Sequence, residues 1–128
     1  MKAIYLAAFP YAKDVLNLPV ESVEKSIPYY QNVFGLELVS TEDTPIKRAV
    51  LARDSIQLGI AENGGDSSQE GAAIRVNNLE DAWNELKANG LDQDAPKYGD
   101  DIRNEKKYRN FFVIAPDGLC YCFNEELA

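Results

Sequence analysis

The sequence predicts an α+β fold built from two βαβββ modules, and three observations carry that prediction. One stretch in each half aligns as strand, turn and amphipathic helix, a second stretch in each half aligns as a hairpin, and the two stretches follow in the same order. The period is too long for a solenoid and marks a duplicated supersecondary unit. In the first block, Leu16 to Ile27 lies over Ala72 to Trp83, matching Val20 with Val76, Val23 with Leu79 and Glu24 with Glu80. Ser22 and Asn78 are suited to N-caps, because their side-chain oxygens accept from the free amides of a first helical turn. Gly35 and Gly90 suit the left-handed residue that ends a helix. The helices are therefore expected over residues 23–34 and 79–89. Val23, Ile27, Tyr30, Val33 and Phe34 form one apolar stripe, and Leu79, Ala82, Trp83 and Leu86 form the other. Pro28 removes a hydrogen bond from the first helix and is expected to bend it.

The second block is sharper. Val50 to Ile60 lies over Val113 to Phe123, each reading as two strands about a tight turn, at Asp54-Ser55 and at Asp117-Gly118. Glu37 to Thr41 and Leu91 to Tyr98 are expected to supply one further strand per half. This organisation gives an N-terminal arm over residues 1–13, modules over 14–61 and 71–126, and a Gly/Ser-rich join over 62–70. A ferredoxin-like βαββαβ arrangement has a similar rhythm, but two closing hairpins favour βαβββ.

A length of 128 residues suits one composite domain, and no run of the chain approaches the ~20 apolar residues of a membrane helix. Thirteen basic against twenty-one acidic residues give a net charge of -8, which repels phosphate backbones and anionic lipids, so neither nucleic acid nor membrane is an expected partner. The early apolar run is broken by Pro10 and lacks a cleavage signature, which reads as an ordered arm of a cytoplasmic protein. The absence of histidine excludes Ser-His-Asp and Cys-His mechanisms and removes the commonest transition-metal ligand. Cys120 and Cys122 share one face of a strand at a Cα separation of roughly 6.5 Å, a poor geometry for a disulfide.

Residues 14–125 resemble the vicinal oxygen chelate superfamily, which includes glyoxalase I, bleomycin-resistance proteins and extradiol dioxygenases. The resemblance rests on Val20-Glu-Ser-Val-Glu-Lys-Ser-Ile-Pro-Tyr-Tyr-Gln-Asn-Val-Phe-Gly-Leu36, on Asp81-Ala-Trp-Asn-Glu-Leu-Lys-Ala-Asn-Gly90 and on Phe111-Phe-Val-Ile-Ala-Pro-Asp-Gly118. These are scaffold motifs, and they speak to fold rather than to chemistry. The resemblance implies curved mixed sheets, each with a helix on one face and a concave cavity on the other. Strand alternation then gives Val15, Asn17 and Pro19 to the cavity side, with Leu16, Leu18 and Val20 toward a helix. By the same parity Gly71, Ala73 and Arg75, then Ser55, Gln57 and Gly59, then Gly118, Cys120 and Cys122, face the cavity.

In metal-dependent members the pattern places His or Glu/Gln where this chain has Val15, Gly59, Gly71 and Cys122. Three of those four offer no ligating side chain, and one thiolate cannot supply a site that needs three or more protein ligands, so no metal and no cofactor are expected. Free buried cysteine as a small apolar residue is the plainer reading of Cys120 and Cys122. The candidate ligand-binding residues are Asn17, Gln57, Arg75, Tyr98, Arg103, Tyr108, Arg109 and Cys122, with Tyr30 at a cavity edge. Arg75 is a guanidinium suited to a carboxylate or phosphate, the competing reading being an internal salt bridge. Asn17 and Gln57 have a competing role in satisfying buried backbone groups. The stretch Lys97 to Arg109 reads as a basic, tyrosine-bearing loop that lids the cavity, or else as a solvated loop with local ion pairs.

Three functional readings follow. The first is a metal-free, small-molecule-binding protein similar to the bleomycin-resistance type, a homodimer as such relatives commonly are, with an aromatic or anionic ligand. The second is a lyase, isomerase or dioxygenase-class enzyme whose acid-base work falls to tyrosine, to Glu62 or Glu70, or to a Cys122 thiolate. The third is a noncatalytic interaction module with a vestigial cavity.

Overall fold

The computed structural model describes residues 2–11, 14–93 and 98–127. Among them, the chain runs β1 (Tyr5–Pro10), β2 (Leu18–Pro19), α1 (Val23–Asn32), β3 (Glu37–Glu42), β4 (Arg48–Arg53) and β5 (Ile56–Ala61). A turn of 3-10 helix at Ser67–Gln69 leads to β6 (Gly71–Val76), α2 (Leu79–Ala88), β7 (Gly99–Arg103), β8 (Lys106–Ile114) and β9 (Cys120–Leu127). The strands form a four-stranded sheet in the order β2-β5-β4-β3 and a five-stranded sheet in the order β1-β6-β9-β8-β7. Apart from β1, the two orders are the same, each starting with a parallel pair (β2 with β5, β6 with β9) and continuing with antiparallel neighbours. This is the duplicated βαβββ architecture, and it excludes the ferredoxin-like alternative.

The local signals act as their chemistry requires. The side chains of Ser22 and Asn78 accept from the Lys25 and Asp81 amides, capping α1 and α2. Gly35 and Gly90 follow the helices with φ of 72° and 106°, a region a side chain would strain. The helices end one or two residues before the expected limits. Asp54 takes φ 49° in the two-residue turn between β4 and β5, whereas Gly118 takes φ 97° in a longer turn between β8 and β9.

Three expectations are corrected. The strand expected over Leu91 to Tyr98 lies later, at Gly99–Arg103, and residues 94–97 of that stretch are outside the described residues. Within the expected arm, Tyr5–Pro10 is an edge strand that pairs antiparallel with β6, joining the sheet of the second half. The first strand of the first half is only Leu18–Pro19, because the chain must cross from one sheet to the other between Pro10 and Leu18. Leu16 is consequently 41% exposed rather than turned to a helix.

One core serves both halves. Tyr30 and Phe34, from the first half, meet Tyr121 of β9 edge-on at centroid distances of 5.8 and 5.1 Å, and Phe34 meets Phe123 at 5.3 Å. Trp83 of α2 meets Phe111 of β8 edge-on at 5.4 Å. Such aromatic pairs add about 0.5–1.5 kcal/mol each beyond the area they bury. Two polar ties cross the same junction. Arg53, at the end of β4, donates from Nη1 and Nη2 to the Glu85 carboxylate on α2 (2.5 and 2.7 Å). It also donates to the carbonyls of Phe34 and Ala3 (2.8 and 2.7 Å) and lies 4.0 Å over the Tyr5 ring. In the reciprocal tie, the Tyr30 hydroxyl of α1 donates to Asp117 Oδ2 in the second hairpin (2.8 Å) and lies 2.6 Å from the Tyr121 hydroxyl. Tyr30 is fully buried there, so it is a core residue and not the cavity-edge residue expected from the sequence.

Candidate binding cavity on the five-stranded sheet

Alternation divides the five-stranded sheet into two unlike faces. Ala72, Ile74, Val76, Phe111, Val113, Tyr121 and Phe123 point into the core. Their alternates line a cavity of about 560 Å³, within the range of roughly 300–1,000 Å³ usual for small-molecule sites. Arg75, Arg103, Tyr108 and Cys122 all line this cavity, so four of the eight candidates converge in one place.

Strand register arranges the lining in rows. Phe9, Ala73, Cys122 and Phe112 are successive cross-strand partners on β1, β6, β9 and β8. One row further along, Arg75, Asn124 and Asn110 are partners on β6, β9 and β8. Tyr108 and Asp101 follow on β8 and β7, with Arg103 at the far end of β7. On the other side, Tyr11 donates its amide to the Gly71 carbonyl, and Cys120 pairs with Ile114. The cavity is therefore apolar at the Phe9–Phe112 end and polar at the Arg75–Asn110 end.

Arg75 is the best-prepared group in it. Its Nε donates to Oδ1 of the buried Asn124 at 2.9 Å. Its guanidinium lies 4.7 Å over the Tyr108 ring and 5.4 Å from the Phe9 ring centre, contacts favourable to a cation. Among the described residues, no carboxylate lies within ion-pair distance of Arg75 and no group accepts from its Nη1 or Nη2, so the internal salt bridge expected as its competing role is not formed. Arg103, in contrast, donates from Nε to Asp101 Oδ2 at 2.7 Å, and its charge is already matched.

Cys122 has a different character. Burial pushes its thiol above the ordinary value of 9.0, as does neighbouring Cys120, against the lowering effects of Arg103 and of the Asn124 side chain. It is held as the neutral thiol at physiological pH, a polarizable wall rather than a thiolate nucleophile. Tyr11 donates its hydroxyl toward Cys120 Sγ at 3.9 Å, and burial raises its pKa well out of the range of a proton-transfer group near neutrality.

The other four candidates lie elsewhere. Asn17 is exposed beside Asn63, whose amide donates to both its backbone carbonyl (3.1 Å) and its Oδ1 (3.2 Å). Gln57 lines a separate cavity of about 440 Å³ on the four-stranded sheet with Val15, Leu16 and Ser55. Arg109 shares the parity of Phe111 and Val113, on the α2 side of the sheet, and donates to Asp100 at 2.9 Å. Tyr98 packs edge-on to Phe111 at 6.3 Å on that same side. The basic stretch is thus a β7-β8 hairpin rather than a lid, and Lys97, at its start, is outside the described residues. Glu62 is taken up by the Val23 amide, which donates to its carboxylate at 3.0 Å.

Asn124, Asn110, Phe9 and Phe112 were not among the candidates. Continuing the alternation two residues past Cys122 would have found Asn124, whereas Phe9 depends on pairing between β1 and β6, a contact across more than sixty positions that no local pattern carries.

The positions where metal-dependent relatives would hold an ion do not fit one here. Gly59 donates its amide to the Val15 carbonyl at 2.7 Å, and a Cβ on Gly59 would overlap the Leu16 backbone. A Cβ on Gly71 would overlap the Cys120 carbonyl. Neither position has room for a ligating side chain, and among the described residues no three His, Cys, Asp or Glu side chains converge.

The comparisons with known proteins agree with this architecture. The family model described as Glyoxalase/Bleomycin resistance protein/Dioxygenase superfamily matches residues 13–103. No curated protein matches the sequence. Among solved structures, the chain is similar to a protein from the mobile metagenome of V. pseudocholerae, with a TM-score of 0.66 and 17% identity over 88% of this chain and 92% of that one. It is also similar to the bleomycin resistance determinant encoded on transposon Tn5, with a TM-score of 0.64 and 14% identity over 91% and 98% of the two chains. A third is a fosfomycin resistance protein from Listeria monocytogenes, solved with Mn(II) and dihydroxypropylphosphonic acid, with a TM-score of 0.60 and 17% identity over 91% and 93%. At such identities the structures speak for the fold alone, and the duplicated βαβββ topology together with the family match makes this chain a member of the glyoxalase/bleomycin resistance protein/dioxygenase superfamily.

Proposed function

We propose that this protein is a metal-free small-molecule binder of the bleomycin-resistance kind, which holds an aromatic or anionic ligand in the cavity of the five-stranded sheet. The observation that carries this reading is Arg75, oriented by Asn124, set between two aromatic rings and left without a carboxylate among the described residues. A guanidinium held in this way needs little reorganisation to receive an anion, which favours binding by lowering its entropic cost. The closed positions at Gly59 and Gly71 support the metal-free part of the reading. No helix among the described residues is long and apolar enough to cross a membrane, and we take the protein to act in the cytoplasm as a homodimer.

Thermal unfolding with a panel of planar aromatic, thiol-conjugate, glycopeptide and small anionic compounds tests the proposal, since a ligand of the folded state raises stability as RT ln(1 + [L]/Kd). At a hundredfold excess over Kd, a stabilisation of about 2.7 kcal/mol is expected. It should disappear in Arg75→Ala. Absence of a shift with every class, in folded protein, would overturn the proposal. Sedimentation as a monomer at micromolar concentration would overturn the homodimer.

A further inference from the structure

We infer that the ligand is an amphipathic monocarboxylate, with its carboxylate on Arg75 and its apolar body lying along β6 and β9 toward Phe112. The inference rests on the proposed binding function and adds the class and orientation of the ligand. The order of the rows sets the orientation. From Arg75 and Asn124 the next row toward Gly71 is Phe9, Ala73, Cys122 and Phe112, and it contains no charged group. Ala73 keeps the β6 position of this row low between Phe9 on β1 and Phe112 on β8, whose side chains are 45% and 54% exposed. These are large apolar side chains left facing an open cavity, and burying them against a ligand body is favourable at about 25 cal/mol per Å².

Charge sets the class. The cavity lining contains Arg75, Arg103 and Asp101, and the Arg103–Asp101 pair leaves one positive charge over. A single carboxylate matches that charge and can take both free Nη groups of Arg75 in a bidentate pair, with Asn110 beside it. A dianion such as a phosphonate would carry one negative charge more than that surplus can match. An uncharged amide would leave the guanidinium half-paired in a partly desolvated site. Asn124 acts here as a positioning residue, since its contact is with Arg75 Nε.

Calorimetric titration of the full chain with 2-naphthoate, 2-naphthamide and 2-naphthylphosphonate tests the inference. The acid should bind at least about tenfold more tightly than either analogue, the discrimination expected of one charge-assisted bidentate contact. Arg75→Gln should erase the preference of acid over amide, and Arg75→Lys, which keeps the charge and loses the fork, should retain part of it. The Arg75 Nε–H signal in NMR spectra should shift with the acid, and the naphthyl protons should show contacts to the Phe112 ring. Equal binding of acid and amide, tighter binding of the phosphonate, or naphthyl contacts confined to the Tyr108 end would overturn the inference. If another class in the thermal panel binds through Arg75 and naphthoate does not, the inference fails and the binding function stands. If no class binds, both fail.

Discussion

In the first half, the chain before β2 lies across the end of its own sheet, with the Gly59 amide on the Val15 carbonyl and the Leu16 backbone filling the space above Gly59. In the second half, the equivalent strand β6 runs for six residues and is flanked by β1, and above it lies the cavity that holds Arg75. The helix caps, the turn residues and the strand order are common to both halves, and the face opposite the helix is not. The difference is a consequence of how the N-terminus is used. Residues 5–10 extend the second sheet, β2 belongs to the first, and Val15 and Leu16, just before β2, lie over Gly59. A duplicated scaffold can thus give its two halves differently lined open faces without changing its core.

The largest effect should come from cutting a tie between the halves. In Glu85→Ala, Arg53 keeps its carbonyl partners and the Asp54 carboxylate at 3.5 Å but loses its bidentate partner, at side-chain exposures of only 10% and 8% for the Arg53–Glu85 pair. Breaking a buried pair from one side costs about 3–5 kcal/mol, and urea unfolding should show a loss of that size. A loss below about 1 kcal/mol would show that the Arg53–Glu85 pair contributes little to joining the halves, leaving that to the aromatic cluster and the Tyr30–Asp117 tie.

The next effect sharpens the comparison of the two faces. Gly59→Ala and Gly71→Ala each place a methyl group on backbone rather than on a yielding side chain, so each should lower stability by about 1–3 kcal/mol. Gly64→Ala, with φ 81° but nothing within contact distance, should lose only about 1 kcal/mol. If the two crowded positions tolerate alanine as well as Gly64 does, neither face is closed to a ligating side chain, and the argument against a metal weakens in both.

The smallest effect at neutral pH lies in the junction tyrosines, and it grows with alkali. Burial raises Tyr30, Tyr121 and Tyr5 well above the ordinary value of 10.0, and Tyr29 is pushed up to about 12. The native state therefore holds more protons than the unfolded chain above pH 10, so stability is complete below that pH and falls as pH rises toward the native values. Absorbance at 295 nm should show these tyrosines ionising together with unfolding. Independent ionisation near pH 10 in folded protein would contradict their burial.

Much of the scaffold was legible in the sequence because its signals are local. Ser22, Asn78, Gly35 and Gly90 act within one helical turn, and the hairpins are read from alternation about Asp54 and Asp117. The cavity was half legible for the same reason, since parity alone places Arg75 and Cys122 on one face. The shortened β2 depends on where β1 pairs, which involves residues far apart in sequence, and the strand at Gly99 is placed by its register with β8. Tyr98 and Arg109 group with Arg103 and Tyr108 only if the stretch is a loop. Once the stretch is a hairpin, alternation sends Arg109 to the opposite side from Tyr108, and Tyr98 packs on the α2 side with Phe111.

The crossing of Tyr30 and Phe34 onto Tyr121 and Phe123 has an evolutionary corollary. A gene encoding one βαβββ unit would have made a chain with half of this aromatic cluster bare to water, stable only when two copies met and therefore dependent on its abundance in the cell. Tandem fusion of two such units would replace that encounter with a tether, at an effective concentration in the millimolar range for short linkers. With pairing made covalent, the two copies need no longer remain alike, and their open faces differ here, one lined by Gln57 and Ser55 and the other by Arg75 and Tyr108.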